Sequence, residues 1–206
     1  MLILGEDMAG VLSRTPEHEC VLILAHPASG TRYATEAIRA DYSGEKHIVH
    51  ERLRPEMWWS RGVRAVISYR IWGSYQNKFD HRWLLTRDPL KTVFSCAGLF
   101  RVKSKRAMVM SYMFGDGLFK GPLFWSVLEL DPLHGAMLCL SKFYDMADRC
   151  GYSRHFRVED ITVDVPTDRK NQTHRPKPAS WDELMALDSE AATKLRGRAE
   201  SFGYNY

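Results

Sequence analysis

A chain of 206 residues and 23.8 kDa, 45% hydrophobic, has enough apolar side chain to fill one core, and a single domain over residues 1–206 is expected. Its 29 Lys and Arg against 25 Asp and Glu leave a net charge of +4 spread along the chain, too slight an excess for a nucleic-acid-binding surface but enough for a local cationic pocket holding a small polyanion. No apolar run reaches the roughly 18 residues of a membrane span, Gly5-Glu6-Asp7 cuts short any leader-like start, and the four cysteines lack C-x-x-C spacing, so the expectation is a soluble cytoplasmic protein with reduced thiols and no membrane contact.

The first clear element is Val21-Leu22-Ile23-Leu24-Ala25, an unbroken apolar run with β-branched members that reads as a strand buried on both faces. Ala34, Ala37 and Ile38 recur at helical spacing over Thr31–Ala40, giving strand, short Gly-containing turn and helix, half of a βαβ unit. His47–Glu51 is short and β-prone, Val63–Tyr69 suits strand or helix, and Trp83-Leu84-Leu85 reads as another buried strand. A helix starts at Pro89, where proline costs no hydrogen bond, and runs to Leu99 on a stripe of Leu90, Val93, Phe94 and Ala97. The Met-, Phe- and Gly-rich stretch 108–125 has no legible organisation and suits a lid or an acceptor-binding wall. Pro132–Cys150 is a helix closed by Gly151, Phe156-Arg157-Val158 a final strand, Asp164–Ser180 a long basic loop, and Trp181–Phe202 one or two amphipathic helices. The sum is an α/β fold of three layers, with a central, mostly parallel sheet flanked by helices.

Two strand-to-helix junctions carry the candidate chemistry. In the first, His26-Pro27-Ala28-Ser29-Gly30-Thr31-Arg32, a tight turn would aim backbone N–H groups and the positive end of a helix dipole at one point, with Ser29, Thr31 and Arg32 adding donors. The same residues also suit an ordinary capped helix after a strand. No Lys follows Gly30, which argues against an ATPase, a GTPase or a small-molecule kinase. In the second junction, Leu84-Leu85-Thr86-Arg87-Asp88-Pro89 leads into the helix that bears Ser95, so Arg87 and Ser95 could reach one phosphate; a local ion pair fixing the turn is the plainer alternative.

Taken together, apolar strand, Pro-x-Ser-Gly-Thr, helix, and then apolar strand, Arg-Asp-Pro and a Ser eight residues after the Arg, resemble the two cofactor motifs of P-loop sulfotransferases, which use 3′-phosphoadenosine 5′-phosphosulfate (PAPS) and release 3′-phosphoadenosine 5′-phosphate (PAP). Val49-His50-Glu51-Arg52, Phe156-Arg157-Val158-Glu159-Asp160, Trp181-Asp182-Glu183-Leu184 and Ala199–Tyr204 extend the likeness to a bacterial and phage branch. The resemblance implies a P-loop fold. It also implies that Pro27, Ala28, Ser29, Gly30, Thr31 and Arg32 hold the 5′-phosphosulfate, that Arg87 and Ser95 hold the 3′-phosphate, and that the acceptor is a small molecule, glycan or peptide bearing a hydroxyl or amine. No metal is required.

A base is needed for the acceptor proton, and Glu51 and His50 are the candidates because they end the second predicted strand; Glu51 is favoured, and His26 ranks behind both. Both also suit a surface ion pair with Arg52 or Arg54. Ala28 stands where many members carry Lys or Arg, a cation that stabilises the departing bridging oxygen, and Arg32 is the available substitute. A loop of Arg169, Lys170, His174 and Arg175 could fold over the cofactor, and Trp58, Trp59 or Trp72 could stack on adenine or a sugar. Glu159 and Asp160 are expected to tie Arg157 or cap the segment after the strand.

Overall fold

The computed structural model describes residues 8–16, 18–41, 48–50, 64–69, 77–118, 127–161 and 180–206. Five strands, β1 (Val21–Ala25), β2 (Ile48–His50), β3 (Ala65–Ser68), β4 (His81–Thr86) and β5 (Arg154–Arg157), form one sheet in the order β2-β3-β1-β4-β5. Every pairing is parallel, and the register sets Ala25 opposite Leu85 and His50 opposite Ile67.

The apolar run of β1 has no polar alternation because helices cover both faces of the sheet. Val21, Ile23 and Ala25 join Ala65, Ile67, Trp83 and Leu85 against α1 (Met8–Arg14) and α2 (Thr31–Asp41), through Val11, Leu12, Ala34 and Ile38. Leu22 and Leu24, with Val66 and Leu84, face the other way onto α3 (Pro89–Phe100) and α5 (Pro132–Cys150), a layer completed by α4 (Lys103–Leu118), α6 (Trp181–Leu187) and α7 (Ser189–Ser201). These are the three layers expected. Because α2 leaves β1 toward one face and α3 leaves the adjacent β4 toward the other, the carboxyl ends of β1 and β4 flank a topological switch point, where open α/β sheets bind ligands.

Side-chain caps fix the helix starts. Asp88 Oδ1 accepts the Leu90 and Lys91 amides ahead of α3, Asp131 Oδ1 does the same for Leu133 and His134 ahead of α5, and each is followed by proline at the first helical position. Ser180 and Glu183 form a reciprocal capping box on α6. The segment from Trp181 becomes two helices because Asp188 breaks α6 and caps α7 through the Ala191 amide.

The structure resolves one open sequence reading and revises two others. The ambiguous 63–69 segment holds a strand, β3, whose four residues are all buried. The last strand ends at Arg157, and Val158–Asp160 forms a 3₁₀ turn instead of continuing it. Helix α4 enters the stretch that had no legible organisation. Its first turn carries Lys103, Lys105 and Arg106, the wrong sign for a helix start. Arg106 escapes the conflict by turning back into the core, where it donates to the Phe100, Val127, Leu128 and Leu130 carbonyls at 2.7–3.1 Å.

Candidate functional site

The loop between β1 and α2 is built by two left-handed residues. Ala28 has φ 72° and is the non-glycine residue with positive φ among those described; Gly30 has φ 78°. An L-residue held there costs about 1–2 kcal/mol, so the surrounding structure must enforce it. The loop is tied inward by Ser29, whose amide (3.0 Å) and hydroxyl both donate to the His26 carbonyl. Gly30 then starts α2 by accepting the Ala34 amide at 3.0 Å. A Cβ on Gly30 would come 3.1 Å from Val158, so the 3₁₀ turn after β5 presses directly on the loop.

The Ala28 and Gly30 amides make no hydrogen bond among the described residues. They lie beside the amino end of an eleven-residue helix, where unpaired N–H groups and the macrodipole favour an anion. Thr31 and Ser29 are buried at this turn, whereas Arg32 is exposed on α2 with no ion-pair partner among the described residues.

Arg87 brings the second junction to the first. Two residues beyond the Ala25–Leu85 pair, it donates from one terminal nitrogen to the Ala28 carbonyl at 3.3 Å. Its guanidinium is half-buried and meets no carboxylate among the described residues; neighbouring Asp88 is spent on capping α3, with Lys91 3.6 Å away. The ion pair that would make Arg87 a structural turn residue is therefore not formed among the described residues. Ser95 lies exposed on α3, roughly 9 Å along the helix axis from Pro89, and makes no bond to Arg87.

His26 opens the loop from a fully buried position, its ring edge-on to Phe143 with centroids 5.4 Å apart and neither nitrogen hydrogen-bonded among the described residues. Burial pushes its pKa down to about 3 and keeps the imidazole neutral. So weakly basic and so deeply buried, it is poorly placed to take a proton from an acceptor.

Beyond Arg87 the sheet edge carries a polar network that the sequence does not advertise. Thr86 Oγ1 meets His155 Nε2 at 2.8 Å and the Tyr204 hydroxyl at 3.2 Å. Burial, reinforced by Arg157, lowers His155 to about 4. Arg157 grips Asp160 with two bonds of 2.8 and 2.6 Å, as the sequence suggested, and donates to the Gly203 carbonyl at 3.0 Å. Glu159 accepts the Asp88 amide and the Tyr204 hydroxyl, both at 3.0 Å, so it ties the β4–α3 turn and does not cap the segment after β5.

His50 is the last residue of β2, at the carboxyl edge but two strands, roughly 10 Å, from β1. Glu51, Trp58, Trp59, Trp72 and the basic loop with Arg169, Lys170, His174 and Arg175 lie outside the described residues. A cavity of about 330 Å³ between α4, α5 and α7 is lined by Met110, Leu138, Lys142 and Lys194 among others, and shares no residue with the loop or with residues 86–88. All four cysteines are free, no described helix is long and apolar enough to cross a membrane, and no metal-ligating cluster occurs among the described residues.

Comparison with known proteins identifies no relative. No family model matches the chain, nor does any curated protein or solved structure. The functional reading therefore rests on the residues themselves.

Proposed function

We propose that this chain is a sulfotransferase that uses PAPS to modify a hydroxyl or amine of a small molecule, glycan or peptide. The observation that carries the reading is Arg87, a half-buried cation that meets no carboxylate among the described residues and reaches across the switch point to a loop whose Ala28 and Gly30 amides find no partner among them either. An anion placed there gains charge-assisted bonds that neither element offers alone. PAPS, when bound, supplies an activated sulfuryl group on a phosphate leaving group.

The residues divide the remaining work. Loop residues 27–31 hold the 5′-phosphosulfate by backbone donors, and the α2 amino end stabilises charge developing on the leaving phosphate. Arg87 exchanges the Ala28 carbonyl for phosphate, with Ser95 the second 3′-phosphate ligand. Glu51 or His50 takes the acceptor proton, a role worth about 10²–10⁴-fold. Arg32 is the cation nearest in sequence to the place left neutral by Ala28.

A second reading, nucleotide or partner binding without catalysis, is favoured by one observation: position 28 carries no charge and Arg32 is exposed. Incubation with sulfur-labelled PAPS and panels of tyrosyl peptides, glycans and phenols separates the two. Labelled acceptor with equimolar PAP supports the transferase, whereas tight PAP binding without turnover on any panel supports the binding protein.

A further inference from the structure

The two residues that flank Arg87 are both held by a segment more than a hundred positions away in sequence. Thr86 meets the Tyr204 hydroxyl at 3.2 Å, and Asp88 Oδ1 accepts the Tyr206 hydroxyl at 3.0 Å. The spacing is the same on both sides, two residues, so Tyr204 and Tyr206 brace the β4–α3 turn before and after Arg87. Glu159 closes the frame, with one oxygen on the Asp88 amide and the other on the Tyr204 hydroxyl.

The brace is itself anchored. Gly203 turns the chain at φ 82°, its carbonyl bound by Arg157, whose guanidinium lies over the Tyr204 ring at 5.6 Å; the Tyr206 ring packs edge-on to Trp181 with centroids 5.1 Å apart. Arg87 contributes nothing to this frame. Among the described residues its guanidinium makes one bond, which points away to the Ala28 carbonyl.

We infer that Tyr204 and Tyr206 are positioning residues for the anion site, acting through the backbone of residues 86–88 to aim the Arg87 guanidinium at the β1–α2 loop. The inference rests on the anion-binding role of Arg87 proposed above. A guanidinium fixed before the ligand arrives loses less side-chain freedom on binding, so the hydroxyls should matter for affinity out of proportion to their effect on folding.

The test is a double-mutant cycle read by calorimetry with two probes, PAP and inorganic pyrophosphate. Tyr204→Phe/Tyr206→Phe removes only the hydroxyls and is expected to weaken pyrophosphate binding about three- to tenfold. In an Arg87→Gln background the same pair should cause no further loss, and the Arg87 side-chain Nε–H signal in NMR spectra of the ligand-free protein should shift or broaden on removing the hydroxyls. Equal losses in both backgrounds, or unchanged affinity in the tyrosine variant, would overturn the inference. Pyrophosphate binding without PAP binding would sink the sulfotransferase reading and leave the cycle readable; binding of neither probe would sink both.

Discussion

The two ends of the sheet each hold a buried or half-buried arginine, and the two are treated oppositely. At the amino end Arg64 is 5% exposed and donates to the carbonyls of Leu12, Thr15, Pro16 and Glu19, sealing the end of α1 against the start of β1; only its Nε lacks a partner. Around it Asp80 accepts the Cys20 amide at 2.7 Å and Glu19 pairs with His81. At the carboxyl end Arg87 has one carbonyl at 3.3 Å, beside a strained alanine and an imidazole whose nitrogens bond to nothing described. An arginine surrounded by carbonyls is a cap on backbone; an arginine short of acceptors among the described residues, beside amides that none of them satisfies, has donors to spare, which is what the anion-site proposal draws on. The polar groups at the amino end close the fold on themselves, and the anion role proposed for Arg87 draws on those left unbonded among the described residues at the other end.

That contrast breaks most visibly at Arg64. Arg64→Ala strands several partly buried carbonyls and is expected to cost about 3–5 kcal/mol in denaturant unfolding, without altering anion affinity of the protein that remains folded. A loss below about 1 kcal/mol would show that water replaces the guanidinium and that the amino end is less closed than described.

Acid sharpens the comparison next, because His26 and His155 belong to the carboxyl end. Their folded pKa values, about 3 and about 4, lie below the unfolded value near 6.5, so the unfolded chain binds more protons below that pH. Their contribution to stability is whole above pH 6.5 and falls by about 1.4 kcal/mol per pH unit for each histidine as the pH drops toward those values. Unfolding free energy should drop by about 2–4 kcal/mol between pH 7 and pH 5, and His26→Leu should remove about half of the slope. A flat profile would contradict the burial of both rings.

Two loop substitutions follow. Gly30→Ala meets both a left-handed backbone and Val158 at 3.1 Å, and should cost about 2 kcal/mol while weakening anion binding, as measured by unfolding and by phosphate titration. Ala28→Gly relieves strain at φ 72° but adds freedom to the unfolded chain, leaving a net gain of about 0.5 kcal/mol. A destabilised Ala28→Gly variant would mean the alanine methyl packs in a way that outweighs its strain.

Much of the frame was legible in sequence. The β1 run, the Asp-Pro helix starts at 88–89 and 131–132, and Gly151 after α5 each carry a local physical signal, and each element stands where that signal put it. Helix α4 was hidden because its basic first turn obeys a tertiary demand, the carbonyls that Arg106 answers, in place of helix-end electrostatics. Of the site, the meeting of residues 28 and 87 could be anticipated from two strand-to-helix junctions. The roles of Tyr204 and Tyr206 could not, since a tyrosine that bonds 118 positions back leaves no periodic trace.

The central claim is that the carboxyl edge around Ala28 and Arg87 is an anion site. Its most direct test is calorimetric titration of wild type and Arg87→Ala with PAP, with thermal unfolding run on both proteins. The account predicts binding at micromolar strength or tighter that collapses in Arg87→Ala, with stability changed by less than about 1 kcal/mol because, among the described residues, the guanidinium answers a single carbonyl. Absence of PAP binding by folded wild type, or equal binding by both proteins, would contradict it.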